Sequence, residues 1–348
     1  MQEIIKQEIK DKGIICTRPF THLEVYVGGN AYCCCADYND DYYLGNIFEQ
    51  SFEEIWNGEK INAMRKEVLE GTYKPCHLEL CYNIEAPCFA DKKTFSTEIQ
   101  YPFKVGIHAD LKCNVKCIFC RDEYVNEPYL TYKHSKLIDS TYIPMLKNAK
   151  LLILNGDGEL FVSKFYKDLI PKVASTYPDI KFELLTNGLL CDEKHIEQFG
   201  LTDRMGLVMV SIHAATEETY NKIVIGSDFK KVIKNIEYLA KLKKEERLGE
   251  LILSYVVCSL NYKELPEFIE YTYSIGAVPQ IWPVVAKGND SKFCSQDFQK
   301  YDVTNKSHPE HEKYVEILNH PVFKKYSIIT NDLIVEENKE NISHYFET

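Results

Sequence analysis

From residue 101 onward, apolar runs alternate with stretches of helical spacing. The runs are FKVGIHAD (103–110), KLLILNG (150–156), KFELLTNG (181–188), MGLVMVSIH (205–213), LILSYVVCS (251–259) and PQIWPVV (279–285). Short, almost wholly apolar runs, several of them ending at Gly or Asn, predict a parallel sheet covered on both faces. Three helices are predicted between or after them. SKFYKDLIPKVASTYP (163–178) stops at a proline. DFKKVIKNIEYLAKLKKEE (228–246) opens on a cap residue, Asp228, and sets Val232, Ile236 and Leu239 on one face. NYKELPEFIEYTYSIG (261–276) ends at Gly276. Six strand–helix repeats fit βαβ units, too few for an eight-stranded barrel. The expected fold is α/β, an open partial (β/α)6 TIM-like barrel with its functional residues at the C-terminal ends of the strands.

The first hundred residues follow another pattern. One long helix is predicted over SFEEIWNGEKINAMRKEVLEG (51–71), with Ser51 and Glu54 as a capping box and Gly71 as its stop. The rest of that segment has clustered aromatics, seven cysteines and a thin apolar core, so it would draw stability from a bound metal. The polar end of the chain predicts one helix near 308–320 and no function. The expected division is a small cysteine-rich domain at 1–100, the partial barrel at 101–290 and a C-terminal extension at 291–348.

Charge and composition narrow the function classes. The net charge of −11 argues against a nucleic-acid or anionic-membrane surface as the main partner. No apolar run approaches the roughly 20 residues that span a bilayer. The charged N-terminus MQEIIKQEIKDKG lacks the apolar centre of a signal peptide, so the expected location is cytoplasmic. Of thirteen cysteines, ten lie at or before position 120. With no secretory signal, metal or cluster binding is the expectation over disulfides. Cys191, Cys258 and Cys294 read as plain thiols.

The sharpest feature is LKCNVKCIFCRDE (111–123), in the loop leaving the first strand. A [4Fe–4S] cluster is usually held by four thiolates. Three, from Cys113, Cys117 and Cys120, would leave one iron open, as catalytic metal sites do. A zinc site completed from elsewhere is the alternative. With Phe119 just before its last cysteine, CNVKCIFC resembles the C-x3-C-x2-C hallmark of the radical S-adenosylmethionine (SAM) enzymes. The resemblance implies that the open iron chelates SAM, and that the reduced cluster cleaves it to a 5′-deoxyadenosyl radical, which abstracts hydrogen from a substrate. LNGDGELF (154–161) is similar to the family's Gly-Gly-Glu motif, so Gly156, Asp157, Gly158 and Glu159 are implied SAM contacts, although Asp157 stands where glycine is common and Leu160 where proline often follows. Asn187 in LLTNG, Ser211 in VSIH and Val256 in SYVVCSLN match the segments beside the ribose, the polar groups and the adenine of SAM. His213 is either a substrate contact or a hydrogen-bonded structural histidine. His108, Tyr255, Gln280 and Trp282 are weaker inward-facing candidates.

The front end resembles the SPASM-type auxiliary cluster domain of the same enzymes: Cys16, a glycine-led hairpin with a cysteine, the phrase LGNI, an Ile-Trp-Asn helix and a later cysteine pair. The implied ligands of a second [4Fe–4S] cluster are Cys16, Cys34, Cys76 and Cys81, with Cys33, Cys35 and Cys88 as substitutes. Two features depart from the pattern: the domain precedes the barrel, and its late pair is C-x4-C. A four-cysteine zinc knot is the alternative. An auxiliary cluster could accept an electron from the substrate, relay electrons inward or act as a staple. The implied substrate is a peptide or protein that is oxidised, crosslinked or epimerised; a carbohydrate or other small metabolite is the rival. An external one-electron donor, flavodoxin or ferredoxin, would be a partner. The reading from another class is an iron–sulfur electron-transfer or binding protein with a vestigial SAM site.

Overall fold

A computed structural model of the protein describes residues 2–34, 43–74, 76, 78, 89–96, 101–120, 127–154, 158–284 and 300–330. One nine-stranded sheet organises it. In chain order its strands are β1 (His22–Tyr26), β2 (Asn30–Tyr32), β3 (Tyr43–Asn46), β4 (Lys104–His108), β5 (Leu151–Leu154), β6 (Lys181–Thr186), β7 (Met205–Ser211), β8 (Leu248–Val257) and β9 (Val278–Pro283). Their spatial order is β9-β8-β7-β6-β5-β4-β1-β2-β3. The six apolar runs of the sequence are β4 to β9, all parallel, and form the expected partial barrel.

The register shows why the sheet holds. One row, Val25–Ile107–Leu154–Leu184–Val208–Leu251, crosses six strands. Every member is at 0% exposure, which places the row at the centre of the core. Removing each such side chain from water contributes roughly 1.5–3 kcal/mol. This row belongs to the same core as buried residues of the helices α4 (Lys164–Thr176) and α6 (Phe229–Lys244), among them Phe165, Leu169, Ile236 and Leu239. Asp228 caps α6 by accepting from the Lys231 amide.

The front segment is more tightly joined to the barrel than its composition suggests. β1 lies parallel beside β4, from His22 opposite Lys104 to Tyr26 opposite His108. It is a seventh parallel strand, and the β2–β3 hairpin extends the sheet beyond it. The single helix predicted at 51–71 is two: α2 (Phe52–Trp56) and α3 (Glu59–Glu70), after the N-terminal α1 (Gln2–Lys12). The break falls at Asn57–Gly58. A Cβ on Gly58 would stand 2.4 Å from the Glu54 carbonyl, so the chain bends there only because it is glycine. The Ser51–Glu54 capping box forms, and Gly71 ends α3 at φ 72°.

The described part of the C-terminal extension has a structural task. Helix α8 (His311–Leu318) packs beside the turn at Tyr262–Glu264, ahead of α7 (Leu265–Ser274). Ile329 then bonds along the outer edge of β9, donating to the Pro279 carbonyl (3.0 Å) and accepting from the Ile281 amide (2.9 Å). An edge strand offers unpaired N–H and C=O groups to other chains, and this segment covers part of that edge. Among the described residues no helix is long and apolar enough to cross a membrane.

Candidate functional site

The cysteine loop leaves β4 after His108 and is fastened from several sides. Tyr166 on α4 donates its hydroxyl to the Ile107 carbonyl (2.8 Å) and accepts from the Ala109 amide (3.0 Å). Asp110, buried, accepts from the Lys112 amide (3.0 Å) and the Ser163 hydroxyl (2.7 Å). Further on, Lys116–Cys117 pairs antiparallel with Val224–Ile225, which follows α5 (Glu217–Ile223). The Cys120 amide closes a turn onto the Cys117 carbonyl (3.1 Å).

The three thiols of this loop sense one another. Burial raises the Cys117 thiol most, with Cys120 and Cys113 adding to it. Burial also raises Cys113, with Glu159 and Cys120 contributing. Three thiolates cannot share this corner without a positive group among them, and a bound metal deprotonates a coordinating thiol outright. Three thiols within electrostatic reach of one another fit the donor set of a cluster held by three cysteines.

The second loop, after β5, is locked onto the first. Glu159 donates its amide to the Lys112 carbonyl (2.8 Å). A Cβ on Gly158 would lie 2.3 Å from that same carbonyl and 2.9 Å from the Asp110 carbonyl. Gly158→Ala is therefore expected to force the two loops apart, at about 1–3 kcal/mol. A lower thermal midpoint and weaker cluster retention would show it; a wild-type midpoint would contradict the packing.

Glu159, at 2% exposure, collects donors from the end of β6. Its carboxylate accepts from the Thr186 hydroxyl (2.9 and 3.0 Å), the Asn187 amide (2.8 Å) and the Phe161 amide (3.3 Å). A carboxylate has about four acceptor positions, so roughly one remains for a further donor such as an ammonium. Burial pushes its pKa up to about 7 against the pull of these bonds. Asn187 in turn donates to Asn114 Oδ1 (2.8 Å) and towards Cys113 Sγ (3.8 Å). Cys113, Gly158, Glu159 and Asn187 thus meet at the ends of β4, β5 and β6.

A second group gathers at β7 and β8. Phe119 sets its ring edge-on to His213, with centroids 5.1 Å apart. His213 has φ 57°, a left-handed conformation uncommon for a histidine. Its Nδ1 accepts from the Val256 amide (3.0 Å) and its carbonyl from Asn261 (2.9 Å). Burial lowers its pKa to about 4, so the ring is neutral. Ser211, at the end of β7, stands opposite Ser254 of β8, and that serine opposite Gln280 of β9. Tyr255 points instead to the Asn261 carbonyl (2.8 Å) and Phe268, away from this row. Cys191 and Cys258 are buried. Gly156, Asp157 and Cys294 lie outside the described residues. Sequence reasoning missed Asp110, Ser163 and Tyr166, and gave Thr186 of LLTNG no role of its own. No motif marks the first three, because their roles depend on helix α4 arriving beside the loop.

In the front segment, Cys16 ends a short strand, Ile14–Cys16, paired with Phe89–Asp91. Cys33 and Cys34 follow β2. Cys33 is buried and donates to the Met64 sulfur (2.9 Å); burial raises its thiol, with Cys34 and Cys76 adding to the rise. Cys33, Cys34 and Cys76 therefore sit within electrostatic reach. Cys35, Cys81 and Cys88 lie outside the described residues.

Parts of the chain match known proteins. Residues 16–83 match the SPASM family, described as an iron–sulfur cluster-binding domain. A "Probable GTP 3',8-cyclase" from Methanocaldococcus jannaschii is 29% identical over 196 residues, 55% of this chain and 60% of that protein. One from Methanococcus maripaludis is 28% identical over 178 residues, 49% of this chain and 55% of its own. The chain thus spans little more than half the length of these relatives. The crystal structure of methylornithine synthase overlaps 65% of this chain and 63% of its own, with TM-score 0.39 and 10% identity. The segment that matches the SPASM model lies largely ahead of the strands β4 to β9 in the chain. These partial matches accord with the resemblance of the cysteine loop to the radical SAM enzymes, and the cofactors they imply are SAM, the [4Fe–4S] cluster that binds it, and an auxiliary iron–sulfur cluster.

Proposed function

We propose that the chain reductively cleaves SAM to a 5′-deoxyadenosyl radical and uses it to take hydrogen from a peptide or protein, which is then oxidised, crosslinked or epimerised. The observation that carries this reading is the junction of Cys113, Gly158, Glu159 and Asn187 at three neighbouring strand ends. Cys113, Cys117 and Cys120 would hold the SAM cluster, and when bound it supplies the electron that breaks the sulfonium bond. The remaining acceptor position of Glu159 suits the SAM ammonium. Asn187 holds Asn114 beside Cys113, while Ser211 would face SAM's polar groups and Val256 its adenine. His213 fixes the Val256 amide and supports Phe119 from the side. Cys16, Cys34, Cys76 and Cys81 would hold the auxiliary cluster; Cys33 is already engaged by Met64. Flavodoxin or ferredoxin would deliver the electron.

One observation favours a second substrate class. The relatives above are named for cyclising GTP, a small metabolite, which makes a small-molecule substrate the competing reading. Anaerobic reconstitution with iron, sulfide, dithionite and SAM tests the shared chemistry. 5′-Deoxyadenosine should appear, slowly without substrate and faster with it. Its complete absence from brown, iron-loaded protein would favour the electron-transfer reading instead.

A further inference from the structure

Strand residues alternate between the two faces of a sheet. Val25 and Ile107 belong to the row that packs with α4 and α6. His22, Glu24 and Tyr26 of β1 and Gly106 and His108 of β4 therefore take the other face, the barrel interior. The same face carries a small separate apolar group, Leu185, Met209 and Ile252. Two residues nearer the strand ends it carries Ser211, Ser254 and Gln280.

Four polar side chains pack together on β1 and β4, and three of them satisfy one another. Glu24 Oε1 is bonded to His22 Nε2 (2.8 Å), and Oε2 accepts from the Tyr26 hydroxyl (2.7 Å). His108 is the exception. At 6% exposure it lies flat on the Tyr26 ring, with centroids 4.4 Å apart and planes at 4°. Its Nε2 stops 3.8 Å from Glu24 Oε2, beyond hydrogen-bond reach. That nitrogen is buried and has no hydrogen-bond partner among the described residues, and Gln280 Oε1 on the same face is buried and unpaired too. A buried polar atom left unpaired is unfavourable, and the stack on Tyr26 holds the ring in place.

A gap is kept beside this nitrogen. A Cβ on Gly106 would stand 3.2 Å from His108 Nε2 and 3.0 Å from Glu24 Cγ, so a side chain there would crowd the space between the two. What suits the gap follows from donors and acceptors. Against burial, the bond to His22 holds Glu24 ionised, so its oxygens only accept. That charge favours the His108 tautomer with its proton on Nε2, which only donates. One atom about 2.8 Å from each would bridge their 3.8 Å separation, accepting from one and donating to the other. A hydroxyl oxygen does both. An ammonium cannot accept, and a carboxylate cannot donate.

We propose that Glu24 and His108 form a substrate subsite inside the barrel that takes a hydroxyl group, carried by a sugar or by a serine or threonine side chain. Tyr26 and His22 hold the pair, and Gly106 keeps room for the hydroxyl. This rests on the reading that the barrel is where the SAM-derived radical meets its substrate, and it names the group recognised there.

The test is saturation-transfer NMR of small probes on the reconstituted full-length protein with SAM and no reductant. Methyl xyloside is set against 2-methoxytetrahydropyran, and N-acetylserine methylamide against N-acetylalanine methylamide. At least one hydroxylated probe should bind where its hydroxyl-free counterpart does not, and which one binds tells a sugar from a side-chain hydroxyl. Gly106→Ala fills the gap, and His108→Phe keeps a ring on Tyr26. Each should raise the dissociation constant about tenfold, the weight of one buried hydrogen bond. Either position gives the answer if the other variant fails to load iron. His108→Gln keeps an N–H donor and should recover part of the loss, which a purely structural role would not do. Equal binding of hydroxylated and hydroxyl-free probes, no binding of either hydroxylated probe, or unchanged binding in both Gly106→Ala and His108→Phe would overturn the proposal and leave the gap to a bound water. No SAM cleavage enters this measurement, so missing 5′-deoxyadenosine in the reconstitution assay is a distinct failure, that of the reading beneath.

Discussion

Replacing Cys113, Cys117 and Cys120 together by alanine is expected to remove about four irons per chain and to bring 5′-deoxyadenosine formation to background. The expectation follows from the fastening of the loop as much as from the thiols. Tyr166, Ser163 and the Val224–Ile225 strand hold its backbone through bonds that need none of the three sulfurs. The variant should therefore fold, and its defect should be loss of the cluster. Cys16→Ala with Cys34→Ala should lower iron by a similar amount and leave SAM cleavage standing. Iron analysis and chromatographic assay of 5′-deoxyadenosine separate the two variants. If the second one also loses all SAM cleavage, the two cysteine groups do not work as separable centres. β1 gives that outcome a physical route, because it ties the front segment to the strand that carries the cluster loop.

Much of the barrel was legible because its strands bury both faces and so read as continuous apolar runs. Each of the six runs is a strand, and Asp228, Ser51, Glu54 and Gly71 cap as their residue types predict. The cysteine loop stood out because three thiols at fixed spacing after an apolar strand are a rare pattern. Less legible was whatever depends on a distant partner. HLEVY (22–26) has a glutamate and a histidine in it, and nothing local marks it as a strand of the barrel sheet. Its polar residues are satisfied only in the fold: Glu24 accepts from Tyr26 (2.7 Å), is bonded to His22 (2.8 Å), and is held well below the usual carboxylate range chiefly by that histidine, against burial. The two-residue break at Asn57–Gly58 was hidden for a similar reason. Helical periodicity continues through it, and only the approach of the Glu54 carbonyl requires the glycine.

Glu159 is expected to make stability fall as pH rises from about 4.5 to 7. Burial lifts its pKa from 4.5 to about 7 in the folded protein. Below 4.5 both folded and unfolded chains hold the proton, and the full stability is present. Between the two values the unfolded chain releases it while the folded one keeps it, and above about 7 the loss is complete. A difference of about 2.5 in pKa corresponds to about 3 kcal/mol. His22, lowered to about 4, and Glu24 give the opposite slope, lost as pH falls, but both are shared with a Glu159→Gln variant and cancel in the comparison. Denaturant titrations of the two metal-free proteins from pH 4.5 to 7.5 measure the difference, and a flat difference would remove the argument. The same proton ties stability to ligand binding. An ammonium at the remaining acceptor position favours the ionised carboxylate, so SAM should expel the proton that burial retains. In cluster-loaded protein near pH 6.5, calorimetry in buffers of different ionisation enthalpy should register proton release on SAM binding. Affinity should rise with pH up to about 7. Glu159→Gln should bind SAM weakly and release no proton, because the group that exchanges it is gone.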